Sequence, residues 1–501
     1  MNASLTRFLG IDLGTGSLKV ALVDEAGVER GVSSVAYTLD TPQPGWAEID
    51  VERWWRALVE ACARLPEDER AMVRGIGFSG QMHGVVLTDA VGQALRPAML
   101  WPDTRAHALL DAWQEANEGA NEGAASNPVA PGMAGPLLRW LLQNEPTTAD
   151  ATRWALQPKD WLRVRLAGGA PAAFVADPSD ACATALAAPD GAWDLALIER
   201  LGVPARWFAP LAASGAASGT LCADAAHALG LPAGVVLATG AGDTPCAALG
   251  SGLGEDGDAL LTTGTGGQIL VTARTMPPAR RGLHRYRSAS GGWYAMAAMQ
   301  NVGVALEAAR GWLAYDWALA YEEAFAAPPS PTLTFLPYLS GERSPWLDPA
   351  ARGGWLGAGL GDTRGMLMRA AFEGVAFALR AGLDALREAN AGAAPDTHDT
   401  CDAAIATLKL AGGGSVDARW RQLLADVLGA QLDAIDCPNA ATRGAALLGG
   451  VASGHWRMDD LMALAPAATR VAQPREDAAL AQRYARFIDL YGRVRTWFPA
   501  A

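Results

Sequence analysis

The chain has 501 residues, half of them hydrophobic and 19% charged, with a formal net charge of -13. This is the composition of a globular protein of roughly two to four domains, not of a disordered chain. The acidic balance excludes a nucleic-acid partner held by a general positive field, because phosphates are repelled wherever no local basic patch exists, and the three lysines, Lys19, Lys159 and Lys409, stand far apart.

The cysteines Cys62, Cys182, Cys222, Cys246, Cys401 and Cys437 form no C-x-x-C pair. In so long a chain they read as reduced thiols. Met1 to Arg7 leads straight into a glycine motif, with no length for a signal peptide. The least polar stretch, 228–242, is broken by Gly230, Pro232, Gly234 and Gly240 and is too short to span a bilayer. The expectation is a cytoplasmic protein with neither a membrane nor a nucleic-acid partner.

From the N-terminus, Phe8-Leu9-Gly10-Ile11-Asp12 and Leu18-Lys19-Val20-Ala21-Leu22-Val23 are apolar runs joined by Leu13-Gly14-Thr15-Gly16-Ser17, a hairpin signature. Glycines there let backbone N–H groups converge on a phosphate. A P-loop is excluded because no glycine precedes Lys19, and the dinucleotide fingerprint because Lys19 stands where its third glycine belongs. What remains is a plain tight turn or a phosphate-facing hairpin. In the second case Asp12, just before the turn, can hold Mg²⁺ directly or through water.

Gly75-Ile76-Gly77-Phe78-Ser79 predicts a strand that runs into Gln81-Met82-His83-Gly84. A loop rich in Ala, Gly, Asn and Pro follows at 118–135. Val235-Val236-Leu237-Ala238 predicts a buried strand that breaks into Thr239-Gly240-Ala241-Gly242-Asp243, and the boundary between two lobes, 1–242 and 243–501, is placed there. Asp243 after that turn reads either as a helix cap or as a base within reach of a substrate hydroxyl.

Half a chain after the first hairpin, Ala259 to Thr263, Gly264-Thr265-Gly266-Gly267 and Gln268 to Val271 repeat its pattern. Two copies predict two lobes of like construction. Leu367, Ala371, Val375, Leu379 and Leu383 mark one apolar helix face. Gly374 inside that helix costs about 1 kcal/mol relative to Ala, which predicts a close backbone approach. A second loop is expected at 390–402. Leu410-Ala411-Gly412-Gly413-Gly414-Ser415, followed by Asp417-Ala418-Arg419-Trp420, reads as strand, glycine run and helix start. A base and ribose would lie against those glycines, unless they serve only a tight turn. Leu480, Tyr484, Phe487, Ile488, Tyr491 and Val494 mark a last helix. Strands mixed with helices make the chain α/β. His107, His227, His284, His398 and His455 are isolated, and no Cys/His cluster points to zinc.

Strand–hairpin pairs in two lobes with a late triple glycine resemble the actin-like ATPase superfamily. Within it, Phe335-Leu336-Pro337-Tyr338-Leu339-Ser340-Gly341-Glu342-Arg343-Ser344-Pro345 resembles the central signature of the FGGY carbohydrate kinases, F-x-P-x-L-x-G-E-R-[ST]-P, and Glu373 to Ala378 resembles their helix motif. The resemblance runs from Phe8 to about Gly450. Ser79-Gly80-Gln81-Met82-His83-Gly84 is similar to the sugar-site loop of the family's xylulokinases. Pro158-Lys159-Asp160-Trp161-Leu162 and Asp177-Pro178-Ser179-Asp180-Ala181 are similar to motifs of its N-terminal lobe. The family's W-N-D-x-R stands as Trp101-Pro102-Asp103-Thr104-Arg105, and its G-G-G-D-N as Gly240-Ala241-Gly242-Asp243-Thr244.

The resemblance implies two actin-like ATPase (ribonuclease H-like) lobes around an interlobe catalytic cleft. The sugar would occupy the first lobe and the nucleotide the second. It implies transfer of the terminal phosphate of ATP to D-xylulose, giving D-xylulose 5-phosphate. Asp243 is then the base, and Asp12, with Asp243 beside it, organises Mg²⁺. Gln81, Met82, His83, Trp101, Asp103, Asp243 and Thr244 would meet the sugar. Gly14, Thr15, Gly264, Thr265 and Gly266 would meet the phosphates, and Gly413, Gly414 and Asp417 the adenosine. Other readings left open are a kinase of another pentulose or polyol, and an actin- or chaperone-like protein switched by nucleotide. A small sugar is the expected partner, with a homodimer left open.

Overall fold

The computed structural model describes residues 6–111, 127–391 and 405–498. Cys401, His398 and much of the loops expected at 118–135 and 390–402 lie outside the described residues. The chain divides into two compact units. One is Met1–Gly254, Tyr286–Trp293 and Asn439–Pro466; the other is Glu255–Arg285, Tyr294–Pro438 and Ala467–Ala501.

The first unit is built on the hairpin Arg7–Leu13 and Ser17–Asp24. Most side chains of both strands are buried, as they are in sheets covered on both faces. Their antiparallel register sets Asp12 opposite Lys19. Arg7–Leu13 also runs parallel to Val73–Gly80, which sets Asp12 beside Ser79. Val236–Ala238 pairs parallel on the far side of Val73–Gly80, Ala217–Thr220 pairs antiparallel beyond it, and Glu29–Ala36 forms the other edge.

Helix Ala440–Ala452 lies directly on this sheet. A Cβ on Gly10 would stand 1.8 Å from the Thr442 carbonyl oxygen, and one on Gly77 1.8 Å from that of Ala445. Only glycine admits backbone that close. Helix Asp243–Gly250 packs on the same helix, where a Cβ on Gly444 would stand 2.0 Å from the Cys246 oxygen. These two contacts draw 243–254 and 439–466 into the first unit. The single cut expected between 242 and 243 is replaced by a discontinuous division.

The second unit repeats the plan. Ala259–Thr263 and Gly267–Ala273 form an antiparallel hairpin, and Ala259–Thr263 runs parallel to Thr407–Ala411. Gln431–Ile435 and Ala468–Ala472 extend the sheet. The internal repeat is therefore a hairpin whose first strand is flanked by a parallel strand arriving from later in the chain. Helix Arg364–Ala391 crosses the core, and a Cβ on Gly374 would stand 2.1 Å from the Phe335 oxygen. That is the close approach expected at this glycine. Helix Ala478–Val494 buries Leu480, Phe487 and Tyr491 on one face. Among the described residues no helix is long and apolar enough to cross a membrane.

Candidate active site

Two carboxylates share one electrostatic neighbourhood in the first unit. Asp12 stands near the end of its strand and accepts a hydrogen bond from Ser79 Oγ at 2.7 Å. Burial raises its pKa from the ordinary Asp value, while the Ser79 hydroxyl and the Lys19 charge pull it back. Asp243 opens helix Asp243–Gly250 as its first residue, not as its cap, which is Gly242. Its Oδ1 accepts from the Thr244 amide at 2.6 Å and from the Thr244 hydroxyl at 3.3 Å. Burial, and then the nearby Asp12 charge, push Asp243 up to about 6 against those two bonds. The pair thus offers one carboxylate close to neutrality and a second acid beside it, an arrangement that divides roles in acid–base sites.

These carboxylates are hard oxygen donors, the kind Mg²⁺ takes when water and phosphate complete its shell. Among the described residues no group of three or more His, Cys, Asp or Glu forms an all-protein metal cage.

The loop expected at the sugar is tied to the first hairpin. Gln81 donates its amide to the Leu13 carbonyl at 2.9 Å and its Nε2 to that of Gly14 at 3.2 Å. Its Oε1 accepts from Thr15 Oγ1 at 3.3 Å, and Thr15 Oγ1 accepts from Trp101 Nε1 at 2.8 Å. Tyr37, which the sequence did not single out, donates its hydroxyl to the Gly14 carbonyl at 2.6 Å. Trp101 is left 49% exposed, enough to offer a ring edge to a ligand. Met82 is buried, and its Cγ would lie 2.7 Å from a Cβ on Gly242, so it packs under the turn that leads to Asp243.

His83 adopts φ +78°, a left-handed conformation unfavourable for any residue with a side chain. Its Nδ1 stands 2.6 Å from the Ala183 carbonyl oxygen, which can only accept, so Nδ1 carries the hydrogen and Nε2 is an acceptor. Burial lowers the pKa of the ring and keeps it neutral. Tyr286 stands edge-on to it at 6.4 Å between ring centroids.

Two expected ligands have their carboxylates engaged within the protein. Asp103 is fully buried, and each oxygen accepts twice: Oδ1 from the Arg105 amide and Nε, Oδ2 from the Ala47 amide and Arg105 Nη2. Arg105 pairs with Glu48 as well and lies 3.7 Å over the Trp46 ring. The motif's acid is therefore scaffold that pins the turn carrying Trp101, and it presents no spare oxygen to a sugar. Asp417 caps helix Ala418–Leu428, accepts from the Arg419 amide at 2.8 Å, and is gripped by the Arg419 guanidinium at 2.7 and 3.0 Å. It fixes the helix start with its carboxylate already engaged.

In the second unit the turn Gly264-Thr265-Gly266 closes through the Gly264 amide on the Gly266 oxygen at 2.9 Å, and Gly264 and Thr265 are exposed. The glycine run lies beside it. The Gly414 amide donates to the Thr263 oxygen at 3.2 Å, and Ser415 Oγ lies 2.8 Å from Thr263 Oγ1. Gly412 has φ +90°, and a Cβ on Gly413 would meet nothing within 4 Å, which leaves its face open. The first amides of helix Gly303–Trp312, those of Gly303 and Val304, hold the Gly264 and Thr265 carbonyls at 3.0 Å each. Glu342 of the central signature is buried and accepts from the Gln300 amide at 2.6 Å, the Arg343 amide at 2.8 Å and Asn301 Nδ2 at 3.2 Å. It braces the segment that feeds that helix. The sequence marked Glu342 without giving it this task.

Residues 7–250 match the N-terminal domain of the FGGY family of carbohydrate kinases, and residues 259–453 match its C-terminal domain. The xylulose kinase of Escherichia coli (strain K12) is 32% identical over 436 residues, 85% of this chain and 86% of that protein. A crystal structure described as a xyloylose kinase from Brucella ovis superposes with a TM-score of 0.87 at 32% identity, over 98% of this chain and 100% of that one. A gluconate kinase from Lactobacillus acidophilus reaches the same TM-score of 0.87 at 21% identity, over 99% of each chain, a likeness of fold alone. With both halves matched in order and the repeated hairpin plan in each unit, the chain belongs to the FGGY family of carbohydrate kinases and is a sugar kinase.

Proposed function

We propose that the protein transfers the terminal phosphate of ATP to a hydroxyl of D-xylulose, giving D-xylulose 5-phosphate. The observation that carries the chemistry is Asp243, held at about 6 by burial and by Asp12. A base with its pKa near the working pH is ionised for much of the time and still accepts a proton well. Asp243 takes the proton of the attacking hydroxyl as the new O–P bond forms. When bound, ATP supplies the phosphoryl group and Mg²⁺ neutralises charge on the phosphates. Asp12, with Asp243 beside it, would hold that ion through water.

Positioning accounts for most of phosphoryl transfer, and backbone groups serve it well. The turns at Gly14-Thr15 and Gly264-Thr265-Gly266 suit phosphates, and the open face of Gly413, with Gly414 next to it packed on Thr263, suits adenosine. The nucleotide is placed in the second unit and the sugar in the first. There His83 Nε2 accepts from one sugar hydroxyl, Met82 offers an apolar wall, and Gln81, Trp101 and Thr244 line the remainder. The choice of xylulose is supported by Gln81-Met82-His83-Gly84 and by the similarity to the Escherichia coli xylulose kinase.

The test is ADP release with ATP fixed and a panel of pentuloses, polyols, glycerol and gluconate. D-Xylulose should give the highest kcat/KM. Preference for any other member would move the substrate and leave the kinase in place.

A further inference from the structure

Behind the turn that carries Asp243 lies a buried ion cluster that the mechanism does not use. Lys159 Nζ pairs with Asp160 at 2.7 Å, Asp177 at 2.9 Å and Asp180 at 3.2 Å. Arg163 pairs with Asp160 at 2.7 Å. All five side chains are at most 1% exposed, and the carboxylates outnumber the cations by one. Burying so many charges is costly unless every one is paired and hydrogen-bonded, and such clusters are weak sources of stability.

The cluster grips the turn Thr239–Gly242 at both ends. Arg163 Nη1 donates to the Thr239 carbonyl. At the other end the Gly242 amide donates to Ser179 Oγ at 3.0 Å, and Ser179 Oγ donates to Asp177 Oδ2 at 2.5 Å. Asp177 Oδ2 also accepts from the Ser179 amide at 2.8 Å and from Ser214 Oγ at 3.3 Å, while the Ser214 carbonyl takes the Gly240 amide at 2.9 Å. Gly242 is the residue before Asp243. A continuous path of bonds thus runs from Lys159 through Asp177 and Ser179 to the peptide that sets the carboxylate's position.

We infer that Ser179, oriented by Asp177 and Lys159, is a positioning residue for the base: it fixes the Gly242 amide and so holds Asp243 at the attacking hydroxyl. The inference rests on Asp243 being the base. A shift of about 1 Å at a reacting group costs on the order of 10²-fold in rate, so loss of the Ser179 hydroxyl should appear in kcat.

The experiment compares Ser179→Ala and Asp243→Asn with the parent, using ATP and whichever sugar the panel selects. Ser179→Ala should lower kcat about 10- to 100-fold, shift the acid limb of its pH profile, and leave both KM values within about threefold. A folded Ser179→Ala enzyme with kcat within about twofold of the parent, its only change a lower Tm, would overturn the inference. If Ser179→Ala does not fold, Ser179→Cys puts a somewhat larger thiol, a weaker acceptor, in place of the hydroxyl and should lose at least about fivefold in kcat; a smaller loss overturns the inference. An active Asp243→Asn enzyme would overturn the base and this inference together. An inactive one beside a fully active Ser179→Ala would overturn the positioning role alone.

Discussion

The charge on Asp12 raises the proton affinity of Asp243, so the two carboxylates cannot be treated as independent acids. Burial is the larger cause and the like charge the second. Together they push Asp243 up to about 6. As pH falls through that value the base gains its proton and stops accepting one from the sugar. The expected kcat profile is flat above about pH 7 and falls about tenfold per pH unit well below 6. Steady-state rates at saturating ATP and sugar check this, and an unchanged kcat down to about pH 4.5 would assign the base elsewhere.

The same displacement carries a stability penalty with a definite sign. The folded carboxyl binds its proton at about 6, against an ordinary value of 3.8, so the folded state is favoured while the group is protonated. That contribution is present below about pH 4 and is lost as pH rises to about 6. Asp243→Asn removes the ionisable group and keeps an oxygen for the Thr244 amide. Its kcat should fall ~10²–10⁴-fold, while its Tm at pH 7.5 should rise by about 2–4 °C. At pH 4 the gain in Tm should vanish. A variant equally stabilised at both pH values would show that burial of the charge is not the source.

His83 carries two separable features, its ring and its strained backbone. Loss of the Nε2 acceptor leaves a sugar hydroxyl unpaired, worth ~1–3 kcal/mol, so His83→Ala and His83→Gly should both raise the sugar KM at least several-fold and leave the ATP KM nearly unchanged. Glycine alone relieves the φ of +78°. His83→Gly should therefore be the more stable of the two by about 1 kcal/mol in chemical denaturation. Equal stabilities would contradict the backbone assignment.

What the sequence revealed, and what it withheld, divides along physical lines. The hairpins at 8–23 and 259–271, the strand through Phe78 and the helix around Gly374 were legible because apolar periodicity and glycine punctuation act over a few residues. The return of Ala440–Ala452 to the first unit was not, because nothing in the spacing of Gly10 and Gly77 names the helix that lies on them. Tyr286 is more than 200 residues from His83, and Ser179 is 63 residues from its bond to Gly242. Such pairings are set by packing alone. Asp103 misled for a different reason: an acid in a motif looks available until Arg105, two residues on, consumes its oxygens.

That reassignment of Asp103 predicts a stability phenotype. Asp103→Ala leaves Arg105 with Glu48 as its one carboxylate partner and strips the buried Ala47 amide and Arg105 guanidinium of acceptors, at ~1–3 kcal/mol for each donor left unpaired. The sugar KM, measured well below the new Tm, should stay within about twofold of the parent because no Asp103 oxygen is free to meet a sugar. A tenfold rise in KM with an unchanged Tm would return Asp103 to the substrate.

Glu342 supplies the corresponding prediction for the nucleotide. Its Oε1 receives the Gln300 and Arg343 amides, and its Oε2 receives Asn301 Nδ2. Glu342→Gln keeps the volume but sets an NH₂ group against another NH₂ at Asn301, or turns it toward the two amides. Either way a buried donor loses its acceptor, at ~1–3 kcal/mol. Asn301 also accepts from the Ser340 amide and hydroxyl through its Oδ1, so the disturbance spreads along 300–304. The amides of Gly303 and Val304 are the ones that hold Gly264 and Thr265 in place. The turn proposed to receive phosphates would therefore loosen, while Gln81, Met82 and His83, which belong to the other unit, would be untouched. Calorimetry should show the Kd for ADP rising about 5- to 10-fold with sugar affinity unchanged. Equal losses for both ligands would mean that Glu342 supports general stability only, and unchanged ADP affinity would detach the signature from the nucleotide.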